Sequence, residues 1–467
     1  VSDQSEPVQL IDSHSHIYGD EFSNDFNEML ERASQAGLKT IIVVGTDLES
    51  SKKAIELSKK HDNIFCAIGV HPHDAENLGD DIYEKFELLA KENEKVVAIG
   101  EIGLDFYRNL SPRNEQEKVF RNFIKLGRAL NLPLIIHDRD AHNELILILE
   151  QEKAEEVGGI LHCFSGNIEM AEKAIQMGFY ISIPGTITYK NSEPLREVVK
   201  KIKIEHLLVE TDSPYLSPEP YRGKRNEPAN VRITAEKIAE IKGLTLEDVA
   251  RITTLNVETI LKIGNNQQSK LAYKIRNSLY LNITNRCSNQ CSFCAKFDNF
   301  RNFTVKGHHL KLSHEPSKEE ILKAVRNVKE YDEIVFCGYG EPLLRVDTVT
   351  EVAKELKKSG VKIRINTDGQ ANLVHGRNIL PDLAGLVDTI SVSLNAADAG
   401  TYNNLCNTPF NKTGFKGVCD FIKEAKKYIP NVIATAVTVP GLDIMQVRNL
   451  AESLGATFRE REYSEIG

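Results

Sequence analysis

No run of apolar residues in the 467-residue sequence approaches the length that crosses a bilayer, and no positively charged, apolar leader opens it. These absences predict a soluble, cytoplasmic protein with no membrane partner. Net positive charge is missing too. The formal balance is −9, which argues against a broadly basic surface for holding nucleic acid, because phosphate binding draws on clustered Lys and Arg. A disulfide framework is also absent. Of the eight cysteines, Cys66, Cys163, Cys337, Cys406 and Cys419 are scattered singly; only Cys287, Cys291 and Cys294 cluster, a pattern suited to ligation. No internal repeat or low-complexity tract interrupts the chain.

What is present is a rhythm. From residue 8 onward, the apolar runs VQLID, KTIIVVG, NIFCAIGV, KVVAIGEIG, LPLIIH, GGILHCF, GFYISIPG and IEHLLVETD alternate with amphipathic stretches. Eight such strands separated by helices predict a closed (β/α)8 TIM barrel over residues 1–263. Its last helix, within TLEDVARITTLNVETILKI, opens on Thr245 followed by acidic residues, a helix-start signal. A polar, Gly-led stretch beginning GNNQQSK predicts a linker over 264–278. Alternation resumes with SLYLNIT, DEIVFCG, VKIRINT, DTISVSL, NVIATAV and ATFRERE. Six strands are too few for a second full barrel, so residues 279–467 are expected to form a partial (β/α)6 barrel. The fold class is α/β throughout.

Candidate metal ligands fall at the ends of the first eight strands. His14 and His16 follow the first, Glu101 the fourth, His137 the fifth, His162 the sixth and Asp212 the eighth. Functional groups in this architecture gather at the C-terminal face, so all six are expected to converge. A lone strand-end His is usually a hydrogen-bonded structural residue; coincidence over five strands is not explained that way. Four His and two carboxylates suit two divalent metal ions, Zn²⁺, Mn²⁺ or Mg²⁺, in a hydrolytic site.

GVHPHDA, GEIGLDFY, LPLIIHDRDA, LHCFSG, VETDSPYLSP and RGKRNEPANV occur in the order and spacing of the TatD family of metal-dependent hydrolases, and the chain resembles that family over residues 8–263. The resemblance implies that His14 and His16 hold one metal and His137 and His162 the other. Glu101 would bridge, and Asp212 would ligate and orient the attacking water; Glu101 and Asp212 are then the catalytic pair. It also implies deoxyribonuclease activity on a DNA or nucleotide phosphodiester. His71, Asp105 and the basic loop containing Arg222 would contact that substrate.

The trio in NRCSNQCSFCAK is a C-x3-C-x2-C cage without a fourth Cys or His nearby. A structural zinc site would need a distant Cys337 or His308 to complete it. Three thiolates on a 4Fe-4S cluster instead leave one iron open. With Phe293 before the last cysteine and CGYGEP after the second strand, residues 277–462 resemble the radical S-adenosylmethionine superfamily. That resemblance implies a 4Fe-4S cluster on Cys287, Cys291 and Cys294, S-adenosyl-L-methionine as cofactor, and an electron donor as partner. Phe293, Gly340, Glu341, Pro342, Ser393 and Asn395 would contact the cofactor, with Tyr339 in place of one expected glycine. A bifunctional enzyme follows, the alternative being a hydrolase of a non-nucleic-acid ester or amide joined to a zinc-stabilised, non-catalytic second domain.

Overall fold

The computed structural model describes residues 8–76, 78, 79, 81–264, 269–294, 296 and 304–463. The chain divides into two compact units, residues 1–265 and 266–467.

In the first unit, β1 (Leu10–Ser15), β2 (Leu38–Val44), β3 (Ile64–Ile68), β4 (Val96–Asp105), β5 (Leu134–Arg139), β6 (Gly159–Leu161), β7 (Phe179–Ile183) and β8 (Leu207–Val209) form one sheet in sequential order. All seven pairings are parallel, as helical crossovers demand. The ring is drawn together just beyond β8, where Ser15 bridges Ser213 and Asp212 N donates to His14 O at 2.9 Å. Ile11, Ile42, Val44, Ala67, Ala98, Ile135, Ile160 and Leu208 pack as a buried cluster, and each larger aliphatic among them contributes about 1.5–3 kcal/mol on burial. The expected last helix spans Leu246–Ile260, capped by the Thr245 side chain accepting from Asp248 N. The eight-stranded barrel read from the apolar runs is therefore the architecture observed.

The second unit holds β9 (Ala272–Ile275), β10 (Ser278–Leu281), a small ribbon of β11 (Thr304–Val305) with β12 (His308–His309), then β13 (Glu333–Phe336), β14 (Lys362–Thr367), β15 (Thr389–Ser393), β16 (Asn431–Thr438) and β17 (Thr457–Glu462). The main sheet runs β17-β16-β15-β14-β13-β10-β9. Its six parallel strands are those expected; β9 adds an antiparallel edge, which makes the sheet mixed. This strand falls in the stretch expected to be linker, and residues 265–268 of that stretch lie outside the described residues. The hairpin forms because Arg276 turns at φ 52° and Tyr273 buries its ring beside Tyr280, Leu310 and Tyr339. One face of the parallel strands, including Ile334, Phe336, Ile363, Ile365, Ile390 and Val392, carries the main apolar core of the unit.

Candidate metal centre and cysteine loop

In the first unit, strand pleating aims alternate residues of β1 inward, so His14 lies within the strand and His16 one residue past its end. Their Nε2 atoms are 3.1 Å apart. His16 Nδ1 bonds Val44 O at 2.7 Å, which places the proton on Nδ1 and leaves Nε2 with a bare lone pair. Asp212 follows β8 in the left-handed region, φ 56°, and its Oδ1 lies 3.4 Å from His16 Nε2.

Glu101, buried near the end of β4, divides its two oxygens. Oε2 faces His14 Nε2 at 3.3 Å and His16 Nε2 at 3.6 Å, while Oε1 faces His137 Nδ1 at 2.8 Å, His162 Nε2 at 3.1 Å and His71 Nε2 at 3.5 Å. Three sets of ligand atoms result: His14, Glu101 and His162; His14, His16 and Asp212; His71, Glu101 and His137. Within each set the atoms lie within 4.8 Å of one another, close enough to share an ion. His14 Nδ1, His137 Nε2 and His162 Nδ1 are buried with no hydrogen bond in the structure, so the donor set is not satisfied by the protein alone.

The electrostatics agree with a cation site. Burial opposes charge on Glu101, but His162, His71 and His14 hold its carboxyl well below the usual range. Burial likewise disfavours charge on His162, yet Glu101 and Glu210 push it well above the ordinary value. A proton on His162 thus balances the carboxylates where a divalent ion would. Burial pushes His71 down to about 3, which leaves it neutral and able to ligate.

Sequence reading did not single out the residues that hold these ligands. Glu210 Oε1 accepts from Cys163 N at 2.7 Å and stands 3.3 Å from His162 Nδ1, fixing that ring. Asp12 accepts from Thr211 N and Thr211 Oγ1 at 2.9 and 2.6 Å, tying β1 to the segment after β8; burial, opposed by those bonds, raises its carboxyl to about 8. His73 Nε2 meets Asp105 Oδ2 at 2.7 Å, and the same oxygen is 3.5 Å from His137 Nε2. Asp105 therefore backs a ligand, and His71 enters a ligand set. Arg222 is exposed, stacked over Tyr189 at 4.3 Å and 3.8 Å from Glu219. Its neighbour Arg225 is engaged with Asp25 at 2.7 Å and lies over Phe22.

In the second unit the cysteine loop follows β10. Gly340 sits against it so closely that a Cβ would stand 2.2 Å from Arg286 O and 2.6 Å from Thr284 O. Glu341 N donates to Arg286 O at 2.7 Å, locking the GYGEP turn to the residue before Cys287. Tyr339 is accommodated because its side chain turns into the aromatic cluster with Tyr273 and Leu310, while its N–H reaches Asn282 Oδ1 at 3.0 Å. The Glu341 carboxylate accepts from Leu343 N, Thr367 Oγ1 and Asp368 N at 2.9, 2.9 and 2.6 Å. It braces the turn from within. Pro342 opens the short helix Pro342–Arg345, Ser393 ends β15, and Asn395 follows with φ 57°. Phe293 is half-buried.

The three loop thiols are free, and burial, then the acidic Asp368 and Glu341, raise Cys287 to about 12. Cys291 and Cys294 also disfavour one another's ionisation. Thiols gathered in this way lose their protons to a cationic iron or zinc centre, so the donors fit such a group. The cysteine packed against Cys291 is Cys406; Cys337 is hydrogen-bonded to Asn366, and His308 packs on Tyr273 at 5.0 Å between ring centres.

Two family models match: TatD related DNase over residues 11–262 and the radical SAM superfamily over 281–454. The uncharacterized metal-dependent hydrolase YabD of Bacillus subtilis is 45% identical over 255 residues, 55% of this chain and 100% of that protein. The 3'-5' ssDNA/RNA exonuclease TatD of Escherichia fergusonii is 36% identical over 260 residues, again 55% of this chain and 100% of its own length. The crystal structure of the TatD homologue YJJV from Escherichia coli superposes with a TM-score of 0.53 at 30% identity, covering 55% of this chain and 98% of that one. With the barrel and its ligand sets in place, the chain belongs to the TatD related DNase family and continues into a radical SAM superfamily domain.

Proposed function

We propose that the first unit hydrolyses nucleic-acid phosphodiesters with two divalent ions, and that the second binds a 4Fe-4S cluster and S-adenosyl-L-methionine. The division of the Glu101 oxygens between two sets of histidines carries the first half. His14, His16 and Asp212 would hold one ion, His137 and His162 the other, with Glu101 between them. Bound there, the ions supply Lewis acidity and lower the pKa of water. Burial opposes charge on Asp212, but His16, His162 and His14 keep its carboxyl below the usual range, so it is ionised to orient a water and accept its proton.

Exposed aromatics support a nucleic-acid substrate. Tyr215, 59% exposed, has its ring 6.2 Å from that of His16, and Tyr107, 64% exposed, carries Arg139 at 4.4 Å. Such faces stack bases while the guanidinium meets phosphate. For the second unit, Cys287, Cys291 and Cys294 would hold the cluster, which when reduced supplies the electron that cleaves the sulfonium. Gly340 and Glu341 support the turn beside it.

Divalent-metal-dependent release of nucleotides from DNA tests the first half: Asp212→Ala should abolish it, and equal activity in both proteins overturns the reading. Anaerobic reconstitution tests the second. A Cys291→Ser variant that still forms 5′-deoxyadenosine ends that assignment.

A further inference from the structure

Helix Ala399–Cys406 ends against the cysteine loop. Gln290 N donates to Cys406 O at 3.1 Å and Ser292 N to Leu405 O at 2.9 Å, fastening the loop on both sides of Cys291. The Cys406 thiol is fully buried and in hydrogen-bond contact with the Cys291 thiol. Its sulfur also receives Asn395 Nδ2 at 3.5 Å and the Tyr402 hydroxyl. Tyr402 has its proton to give because its oxygen already accepts from Gln370 Nε2 at 2.7 Å and Asn289 Nδ2 at 3.3 Å. Gln370 is held in turn by Thr408 Oγ1 at 2.7 Å. With two donors aimed at its sulfur, Cys406 keeps its own S–H, and the adjoining acceptor is Cys291 Sγ.

We infer that Cys406 is a positioning residue of the iron–sulfur site, donating a hydrogen bond to the Cys291 thiolate that holds iron. The inference rests on the cluster reading above. Thiolates on different irons of one cubane have the body of the cluster between them, so a sulfur in hydrogen-bond contact with Cys291 stands outside the cage. Cys406 is therefore not a fourth ligand, and the open iron stays open. A donor on a ligand sulfur withdraws electron density and favours the reduced, more negative cluster over the oxidised one. Removing the donor makes the cluster harder to reduce.

The test uses the full chain, reconstituted anaerobically with iron and sulfide, as wild type, Cys406→Ala and Cys406→Ser. Iron and sulfide content come first, then a redox titration followed by electron paramagnetic resonance. At the wild-type midpoint, Cys406→Ala should lower the ratio of reduced to oxidised cluster about tenfold, a shift of about 59 mV for one electron. Cys406→Ser, which keeps a donor, should recover most of it. One shared midpoint in loaded wild type and Cys406→Ala overturns the inference alone. If Cys406→Ala takes up no cluster, the wild type still decides: double resonance in H₂O and D₂O should reveal an exchangeable proton coupled to the reduced cluster, and its absence overturns the inference. Zinc in place of iron and sulfide in the wild type removes both the cluster reading and the inference.

Discussion

Glu101→Gln keeps the shape of the side chain and removes the charge that both ligand groups share. Its oxygens stand 2.8–3.6 Å from five histidine nitrogens, so any ion held there feels the carboxylate at close range. A unit charge at ~4 Å contributes about 4 kcal/mol at an effective dielectric of about 20. The amide oxygen of Gln still coordinates, and part of that energy is recovered. With about 1.4 kcal/mol per decade, each ion should bind roughly 100- to 1000-fold more weakly. Asp212→Asn touches only the His14 and His16 group and should weaken one ion. Competition of the metal-free protein with a chelating dye for Mn²⁺ counts the ions and ranks their affinities. A Glu101→Gln protein that loses one ion and keeps the other at wild-type affinity refutes the bridging role.

Gly340→Ala drives a methyl into the carbonyls of Arg286 and Thr284 and should cost about 1–3 kcal/mol, seen as a lower melting temperature together with lost iron uptake; an unchanged melt contradicts the packing. Burial opposes ionisation of Glu333, but Arg364, at 2.7 Å, holds its pKa below the usual value. Its stabilisation is therefore present above the unfolded pKa of about 4.3 and lost as pH falls through the lower folded value. Glu333→Gln should flatten the acid side of stability against pH, and an identical slope in the two proteins would exclude the pair as a contributor. Arg222→Ala should raise KM for DNA a few-fold with kcat unchanged, since the guanidinium is exposed over Tyr189 and outside the ligand sets. A fall in kcat would place it among the reacting groups instead.

The strands of both units were legible because parallel strands buried on both faces write themselves as apolar runs. The ligand positions were legible because polar residues ending such runs stand out against them. Glu210 and Asp12 were not, since each is one more acidic residue near a strand and only the contacts with His162 and Thr211 separate it from the rest. His73 was hidden by His71, two residues earlier, which carries the stronger motif. β9 was missed because four residues with one buried tyrosine leave no periodic signal amid polar neighbours. Cys406 read as a core or stray thiol: it lies 112 positions beyond Cys294, and no spacing rule links them.

The place where the barrel ring is drawn together has a consequence for synthesis. His14 and His16 come from the first strand, Asp212 from just past the last, and Asp12 bonds Thr211 across 199 positions at the same seam. A nascent chain that has emerged only through β7 holds one half of a shared ligand set and none of the other. The hydrolytic centre is thus a long-range contact completed late, and the growing polypeptide passes most of its translation without a finished cutting site beside the message that encodes it.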